Sequence, residues 1–378
     1  MKIAYILPSL ESSGGAERII TEKANYFSMH FGYEVTIITL FQRIESQCFY
    51  PLHEKVRLIN LHIPYYTQYQ YKYPKRLWVK LKIYFQMRKE LSQTISSINP
   101  DFIIGVSYSK ADLVCTIPSK AIKIIECHEP RALKASSVYN GSFISKLYTS
   151  NFYFKKIEKN ADIIITLNPD DKKEWKNAKR VEFIPNFSSM PITGKSTCKA
   201  KRVIAVGRLR DEKGFDRLID IWKMVSTEHP FWMLDMFGEG PLKSTLENQI
   251  KKNNISNIIL HGATSDISKE YANSSICAVT SHFEGFSLVI LEAMRHGVPC
   301  VAFDCPFGPR SIIKDSQCGF LVDNGDTSLF AERLCCLIKD EELRKRFSKS
   351  SIERASTFEV NAIMNKWKVL LEELNCAR

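Results

Sequence analysis

Residues 281–299 read Ser281-His282-Phe283-Glu284-Gly285-Phe286-Ser287-Leu288-Val289-Ile290-Leu291-Glu292-Ala293-Met294-Arg295-His296-Gly297-Val298-Pro299, an apolar run holding a carboxylate that packing alone would not select. Ser287 is a good N-cap type, Gly297 stands where a C′ glycine ends a helix, and Pro299 lies just beyond, so residues 288–296 are expected as one short helix. Glu292 falls in its second turn between Ile290, Leu291, Ala293 and Met294. A buried carboxylate without partners is costly, so Glu292 must accept hydrogen bonds, and ligand hydroxyls would serve. Glu284 precedes the helix by a Gly285-Phe286-Ser287 turn, and the amides of Leu288, Val289 and Ile290 at the helix start form an anion site.

Outward from this helix, apolar runs of strand length alternate with amphipathic runs of helix length, the pattern of parallel sheets covered on both faces. Strands are expected at 2–7, 33–40, 56–60, 101–106, 121–127, 162–167 and 181–184, then at 202–206, 231–237, 257–261, 276–280, 298–303 and 318–322. The chain is therefore expected to be α/β, with one doubly wound domain at 1–190, a linker at 191–200 where Pro191 and Gly194 cluster with small polar residues, and a second domain at 201–360. Residues 361–378 read as a closing amphipathic helix.

A length of 378 residues suits two cores. The first apolar run, Met1 to Leu7, stops at Pro8 without a small-residue cleavage site, and no run reaches the roughly 18 residues of a spanning helix, so a cytoplasmic chain is expected. The eleven cysteines are scattered, without a Cys-x-x-Cys pair, which favours reduced thiols over disulfides or zinc. The net charge of +12 is uneven: residues 1–190 hold 27 Lys and Arg against 17 Asp and Glu, the remainder 26 against 24. That asymmetry favours an anionic partner for the first domain.

Residues 64–90 specify the kind. Tyr65, Tyr66, Tyr69, Tyr71 and Tyr73 lead into a segment with Lys72, Lys75, Arg76, Lys80, Lys82, Arg88 and Lys89 and no acid before Glu90. Leu77, Trp78, Leu81, Tyr84 and Phe85 can share one helical face. A basic amphipathic helix of this kind suits an anionic membrane surface, reached through Lys72–Lys89, rather than nucleic acid. The competing reading packs the apolar face on the sheet and leaves the lysines solvated.

No Gly-x-Gly-x-x-Gly or Walker lysine follows either first strand. Instead Gly14-Gly15-Ala16-Glu17 opens the first helix, where glycines admit a phosphate to the backbone. His128 ends the strand at 121–127, at the carboxyl edge where α/β sheets bind ligands. Val206-Gly207-Arg208 leads to Lys213-Gly214, and the two cations, five residues apart, can reach one diphosphate. His261-Gly262 ends another strand, and Cys305-Pro306-Phe307-Gly308-Pro309-Arg310 forms a rigid turn after the strand at 298–303.

Glu284-x7-Glu292 with Gly285, the Glu292-Ala293-Met294 helix and the Gly297-x-Pro299 stop resembles the signature of family 4 glycosyltransferases; Gly14-Gly15, His128, Pro185-Asn186 and the Gly207-to-Asp216 run resemble further parts of it. The resemblance covers most of the chain and is strongest at 202–325. It implies a GT-B fold, two doubly wound Rossmann-like domains facing each other across a cleft, with the last helix crossing back to the first domain. It also implies sugar transfer, with retention at the anomeric carbon, from a nucleotide diphosphate sugar, UDP-linked in expectation, to a hydroxyl of a glycan or lipid-linked glycan in surface polysaccharide or lipopolysaccharide synthesis at the inner face of the plasma membrane. The catalytic roles then fall on His128, Arg208, Lys213 and Glu284. Donor binding adds Gly14, Gly15, Gly285, Phe286, Ser287, Leu288, Val289 and Glu292, with His261 and Gly262 near the base and neither metal nor cofactor required. An epimerase on the same architecture, or a non-catalytic sugar-nucleotide-binding subunit, would use the same donor contacts.

Overall fold

The computed structural model describes residues 1–106, 110–131 and 152–377. The chain divides into two compact units, Met1–Ile184 together with Met364–Arg378, and Pro185–Ile363.

The first unit is built on seven parallel strands: β1 (Lys2–Leu7), β2 (Glu34–Thr39), β3 (Arg57–Asn60), β4 (Phe102–Val106), β5 (Ile122–Cys127), β6 (Ile163–Thr166) and β7 (Val181–Phe183). Their order is β3-β2-β1-β4-β5-β6-β7, so the winding reverses between β1 and β4. Ile3, Ala4, Tyr5, Ile6 and Leu7 in β1 and Phe102, Ile103 and Ile104 in β4 are fully buried. That is why these central strands read as continuous apolar runs and not as alternating ones.

The second unit has six parallel strands: β8 (Arg202–Val206), β9 (Met233–Phe237), β10 (Ile258–His261), β11 (Ile276–Val279), β12 (Cys300–Asp304) and β13 (Gly319–Asp323). The order is β10-β9-β8-β11-β12-β13, and here the winding reverses between β8 and β11. The helices Phe215–Glu228 and Thr327–Lys339 cover this sheet, with Leu218, Ile219, Trp222, Phe330 and Leu334 at most 0% exposed in a core shared with Val203, Leu234 and Val301. Burying one such side chain contributes about 1.5–3 kcal/mol.

Residues 191–200, expected as a linker, are fastened to the second unit. The Thr193 amide donates to Ser268 Oγ at 3.0 Å, the Ser196 amide to the His296 carbonyl at 2.8 Å, and the Cys198 carbonyl accepts from Arg344 Nε at 3.0 Å. Small polar residues that looked like linker composition are there to satisfy buried partners. The last helix, Val360–Cys376, joins the first unit from Met364: Trp367 meets Phe27 edge-on at 6.3 Å, and Glu373 takes Arg180 in a two-pronged pair at 2.7 and 3.1 Å.

The helix Lys75–Ile98 carries two apolar stripes. Ile83, Met87, Leu91 and Ile95 recur every four residues and are buried against the first sheet. Leu77, Trp78, Leu81 and Phe85 recur nearly as regularly about a third of a turn away and stay exposed, Trp78 at 74% and Phe85 at 64%. The reading that packed this second stripe on the sheet is corrected, because the inward positions are already filled. Tyr84, expected to share the stripe, instead packs against the core. Among the described residues no helix is long and apolar enough to cross a membrane, and the eleven cysteines are free thiols.

Candidate active site

In the second unit the chain segments leaving β8 and β11, the two strands flanking the reversal, are stitched together. Gly214, which separates the short 3-10 turn Asp211–Lys213 from the helix Phe215–Glu228, has φ +60°, and a Cβ there would collide with the Thr280 carbonyl. Glycine is needed for both the backbone angle and the approach. Thr280 Oγ1 donates to the Gly214 carbonyl at 2.8 Å, and the His282 amide to the Glu212 carbonyl at 2.9 Å. Arg217 donates to the carbonyls of Thr280 and Ser281 at 2.6 and 2.5 Å while its guanidinium lies 4.1 Å from the Phe303 ring centre.

This stitching sets Lys213 Nζ 2.7 Å from Glu284 Oε1, an oxygen that also accepts from Ser281 Oγ at 2.7 Å. Glu284 is buried, and the loop after β12 closes on it, since a Cβ at Gly308 would collide with the Glu284 Cβ. Cys305 in that loop is pushed up to about 12 by burial and by the Glu284 charge. Arg208 is on the outside of the same turn, its side chain 54% exposed and 3.4 Å from Glu212. The structure thus brings Lys213 to Glu284 and leaves the Arg208 guanidinium largely in solvent.

The helix expected at 288–296 runs Leu288–Arg295, with Gly297 at φ +73° beyond it. One expectation is corrected: Ser287 stands at the N-cap with extended backbone, but its hydroxyl makes no capping bond. Ser287 Oγ is buried without a partner among the described residues, beside amides that a helix start leaves without intrahelical acceptors. An orphaned hydroxyl and a bare helix start share one spot. In the second turn Glu292 is buried and faces the Tyr271 hydroxyl at 3.5 Å; burial, then the Glu292 charge, raises the Tyr271 pKa.

Two contributors escaped the sequence reading. Gly238 and Gly240 follow β9, and a Cβ on Gly238 would strike the Gly207 carbonyl. The Gly207 amide donates to Phe237, and Leu209 to Glu239, at 3.0 and 2.9 Å, so the turn carrying Arg208 rests main chain on main chain. The signal was there as Gly238-Glu239-Gly240-Pro241 directly after a strand. Tyr271, from the helix Ile267–Ala272, is the other. The His261 imidazole is committed within the sheet, 2.7 Å from Asp235 Oδ1 and stacked on Phe237 with ring centres 4.4 Å apart. Gly262 accepts the Gly238 amide at 3.2 Å.

In the first unit Gly14 precedes and Gly15 begins the helix Gly15–His30 after β1. A Cβ on Gly14 would collide with the Glu17 carboxylate, so an anion at this helix start would have that acid beside it. His128 follows β5, at the carboxyl edge where a ligand-facing side chain is expected, and its ring is buried, with Nε2 3.1 Å from Glu126 Oε2. Lys23 pairs with the same oxygen from the helix Gly15–His30. Burial alone would raise the Glu126 pKa, but Lys23 and His128 outweigh it and hold the carboxyl down at about 2.

Residues 194–354 match the family model described as Glycosyl transferases group 1. The chain is similar to the amylovoran biosynthesis glycosyltransferase AmsD of Erwinia amylovora, 27% identical over 98% of this chain and 99% of that protein. It is also similar to the Campylobacter jejuni GalNAc-alpha-(1->4)-GalNAc-alpha-(1->3)-diNAcBac-PP-undecaprenol alpha-1,4-N-acetyl-D-galactosaminyltransferase, 26% identical over the full length of both. Among solved structures it resembles Anabaena Alr3699/HepE in complex with UDP-glucose, with TM-score 0.73 and 17% identity over 99% of this chain and 100% of that one. The architecture is that of the GT-B glycosyltransferases.

Proposed function

Since the chain is a glycosyltransferase that carries a Glycosyl transferases group 1 domain, we propose that it belongs to family 4 and transfers a hexose or N-acetylhexosamine, with retention, from a UDP-sugar to a hydroxyl of a glycan or lipid-linked glycan. The observation that carries this reading is the Lys213–Glu284 pair at the β8/β11 reversal, beside a helix start with an orphaned serine hydroxyl. Ligands bind at such reversals in open α/β sheets.

Departure of the nucleotide puts negative charge on the diphosphate and positive character on the sugar. Lys213 and Arg208 neutralise the first, Lys as a point charge and Arg with its exposed fork. The Gly14–Gly15 turn and the amides of Leu288, Val289 and Ile290 add dipoles. Glu284 accepts sugar hydroxyls and Glu292 the ribose hydroxyls, while Gly285, Phe286 and Ser287 shape the turn between them. His128 orients the sugar at its reacting carbon, and His261 and Gly262 lie towards the base, the latter through main chain. Protein cations serve the leaving group in this scheme, without a divalent ion.

The acceptor reading rests on the exposed stripe Leu77, Trp78, Leu81 and Phe85, flanked by Lys75, Lys80 and Lys82. Aromatic and cationic side chains interleaved along one helix suit an anionic bilayer surface, where a lipid-linked glycan would be met. The relatives named for amylovoran and for an undecaprenol-linked glycan support the reading of polysaccharide or lipid-linked glycan synthesis, and the inner face of the plasma membrane is the proposed place of that reaction.

The test is a panel of UDP- and GDP-sugars with lipid-linked acceptors, read by released nucleotide and by the anomeric configuration of the product. Retained configuration with a UDP-sugar is expected. An inverted product would overturn the retaining scheme, and epimerised donor formed without acceptor would favour the epimerase reading.

A further inference from the structure

The first unit buries an ion pair that packing does not call for. Lys23 is 2% and Glu126 0% exposed. Their ion pair is shared with His128, since Glu126 Oε2 takes both Lys23 Nζ and His128 Nε2, while Oε1 is buried without a partner among the described residues. The Lys23 ammonium also lies 4.8 Å from the Trp367 ring centre, and Tyr5 is fully buried alongside, its pKa raised by burial and by the Glu126 charge. Removing two ions from water is costly, and apolar residues of similar volume commonly replace such pairs with equal or greater stability. Stability therefore does not explain Lys23 and Glu126.

The geometry supplies another reason. A carboxylate can only accept, so the His128 nitrogen facing Glu126 must carry the proton. Lys23 keeps Glu126 in that accepting form and offsets its charge, so the carboxylate fixes the ring without leaving a net negative charge under it. We propose that Lys23 and Glu126 are a positioning pair that locks His128 in its Nε2–H form and in one ring orientation. The proposal rests on the reading that His128 orients the donor sugar.

Two double variants keep the core neutral. Lys23→Met with Glu126→Leu removes the acceptor, and Lys23→Met with Glu126→Gln retains a carbonyl oxygen for Nε2–H. Thermal melts establish that both are folded. In the Met/Leu protein kcat should fall about tenfold or more while the donor KM changes little, on the scale of losing a partner that orients a ligating histidine. Histidine-labelled ¹⁵N NMR should show the His128 signals leaving the pattern of a single Nε2–H tautomer. The Met/Gln protein should recover most of the rate and that pattern. An unchanged His128 spectrum in the Met/Leu protein overturns the proposal, as does an unchanged kcat there if His128→Ala is slow. If His128→Ala retains the full rate, the reading of His128 itself fails, and the NMR comparison still decides whether the pair sets its tautomer.

Discussion

Lys213 Nζ and Glu284 Oε1, 71 positions apart in the chain, stand 2.7 Å apart, brought together beyond the ends of two strands that are neighbours in the sheet. Substituting Lys213 by Ala should lower kcat by about 10²-fold or more, the loss expected for one transition-state charge contact. Arg208→Ala should do the same by removing the exposed partner cation. Rates close to wild type in steady-state assays would take the diphosphate role from both.

If those two cations serve the leaving group, activity should survive exhaustive EDTA treatment and remain unchanged when Mg²⁺ is added back. A strict requirement for a divalent ion would contradict the assignment of that work to Arg208 and Lys213.

Glu292→Gln replaces an acceptor-only carboxylate with an amide, and donor affinity measured by calorimetry should weaken by about tenfold, the scale of one charge-assisted hydrogen bond. Tyr271→Phe, which removes the hydroxyl facing Glu292 at 3.5 Å, should cost less. Unaltered donor affinity in the Gln variant would return Glu292 to a purely structural role.

On vesicles containing anionic lipid, exchanging Trp78 and Phe85 for Ser should reduce binding in both low and high salt, since it removes apolar contact. Exchanging Lys80 and Lys82 for Glu should reduce binding mainly in low salt, where charge is least screened. If the aromatic variant binds vesicles as well as wild type, the exposed stripe does not enter the membrane.

Asp171 makes a prediction about stability. Burial pushes its pKa up to about 6, against the opposing pull of the Arg131 amide at 2.9 Å and the Trp175 indole at 3.4 Å. An acid whose folded pKa is raised contributes stability below its unfolded value of about 4, and that contribution is lost as pH rises through 6. The difference amounts to at most about 3 kcal/mol, from two pKa units at 1.36 kcal/mol each. Asp171→Asn should therefore gain melting temperature relative to wild type between pH 4 and pH 7. A gap between the two proteins that stays constant with pH would refute the shift.

The strands were legible because parallel sheets buried on both faces leave uninterrupted apolar runs, such as Ile3–Leu7 and Val298–Phe303. Glycines and cations following β8 were legible as a turn, since their chemistry is local. What the chain could not disclose was pairing across space: nothing near Lys23 in sequence announces Glu126, 103 residues away. Nor does periodicity tell which of two apolar stripes on the helix Lys75–Ile98 faces inward, because both repeat at nearly the same spacing. The Ser287 cap failed for a related reason: residue type gives a hydroxyl the means to cap, but its surroundings decide whether it does.

The contact between Gly207 and Gly238 bears on how this enzyme could be altered. No side chain intervenes where those two turns touch, so the placement of Arg208 is inherited from the peptide skeleton, and decoration at neighbouring positions can vary without disturbing it. A library that randomises the exposed Glu239 and Pro306 while leaving 214, 238 and 240 as glycine would search sugar preference on an intact frame. One that lets any of those three glycines change would instead drive a side chain into a main-chain carbonyl at a positive φ.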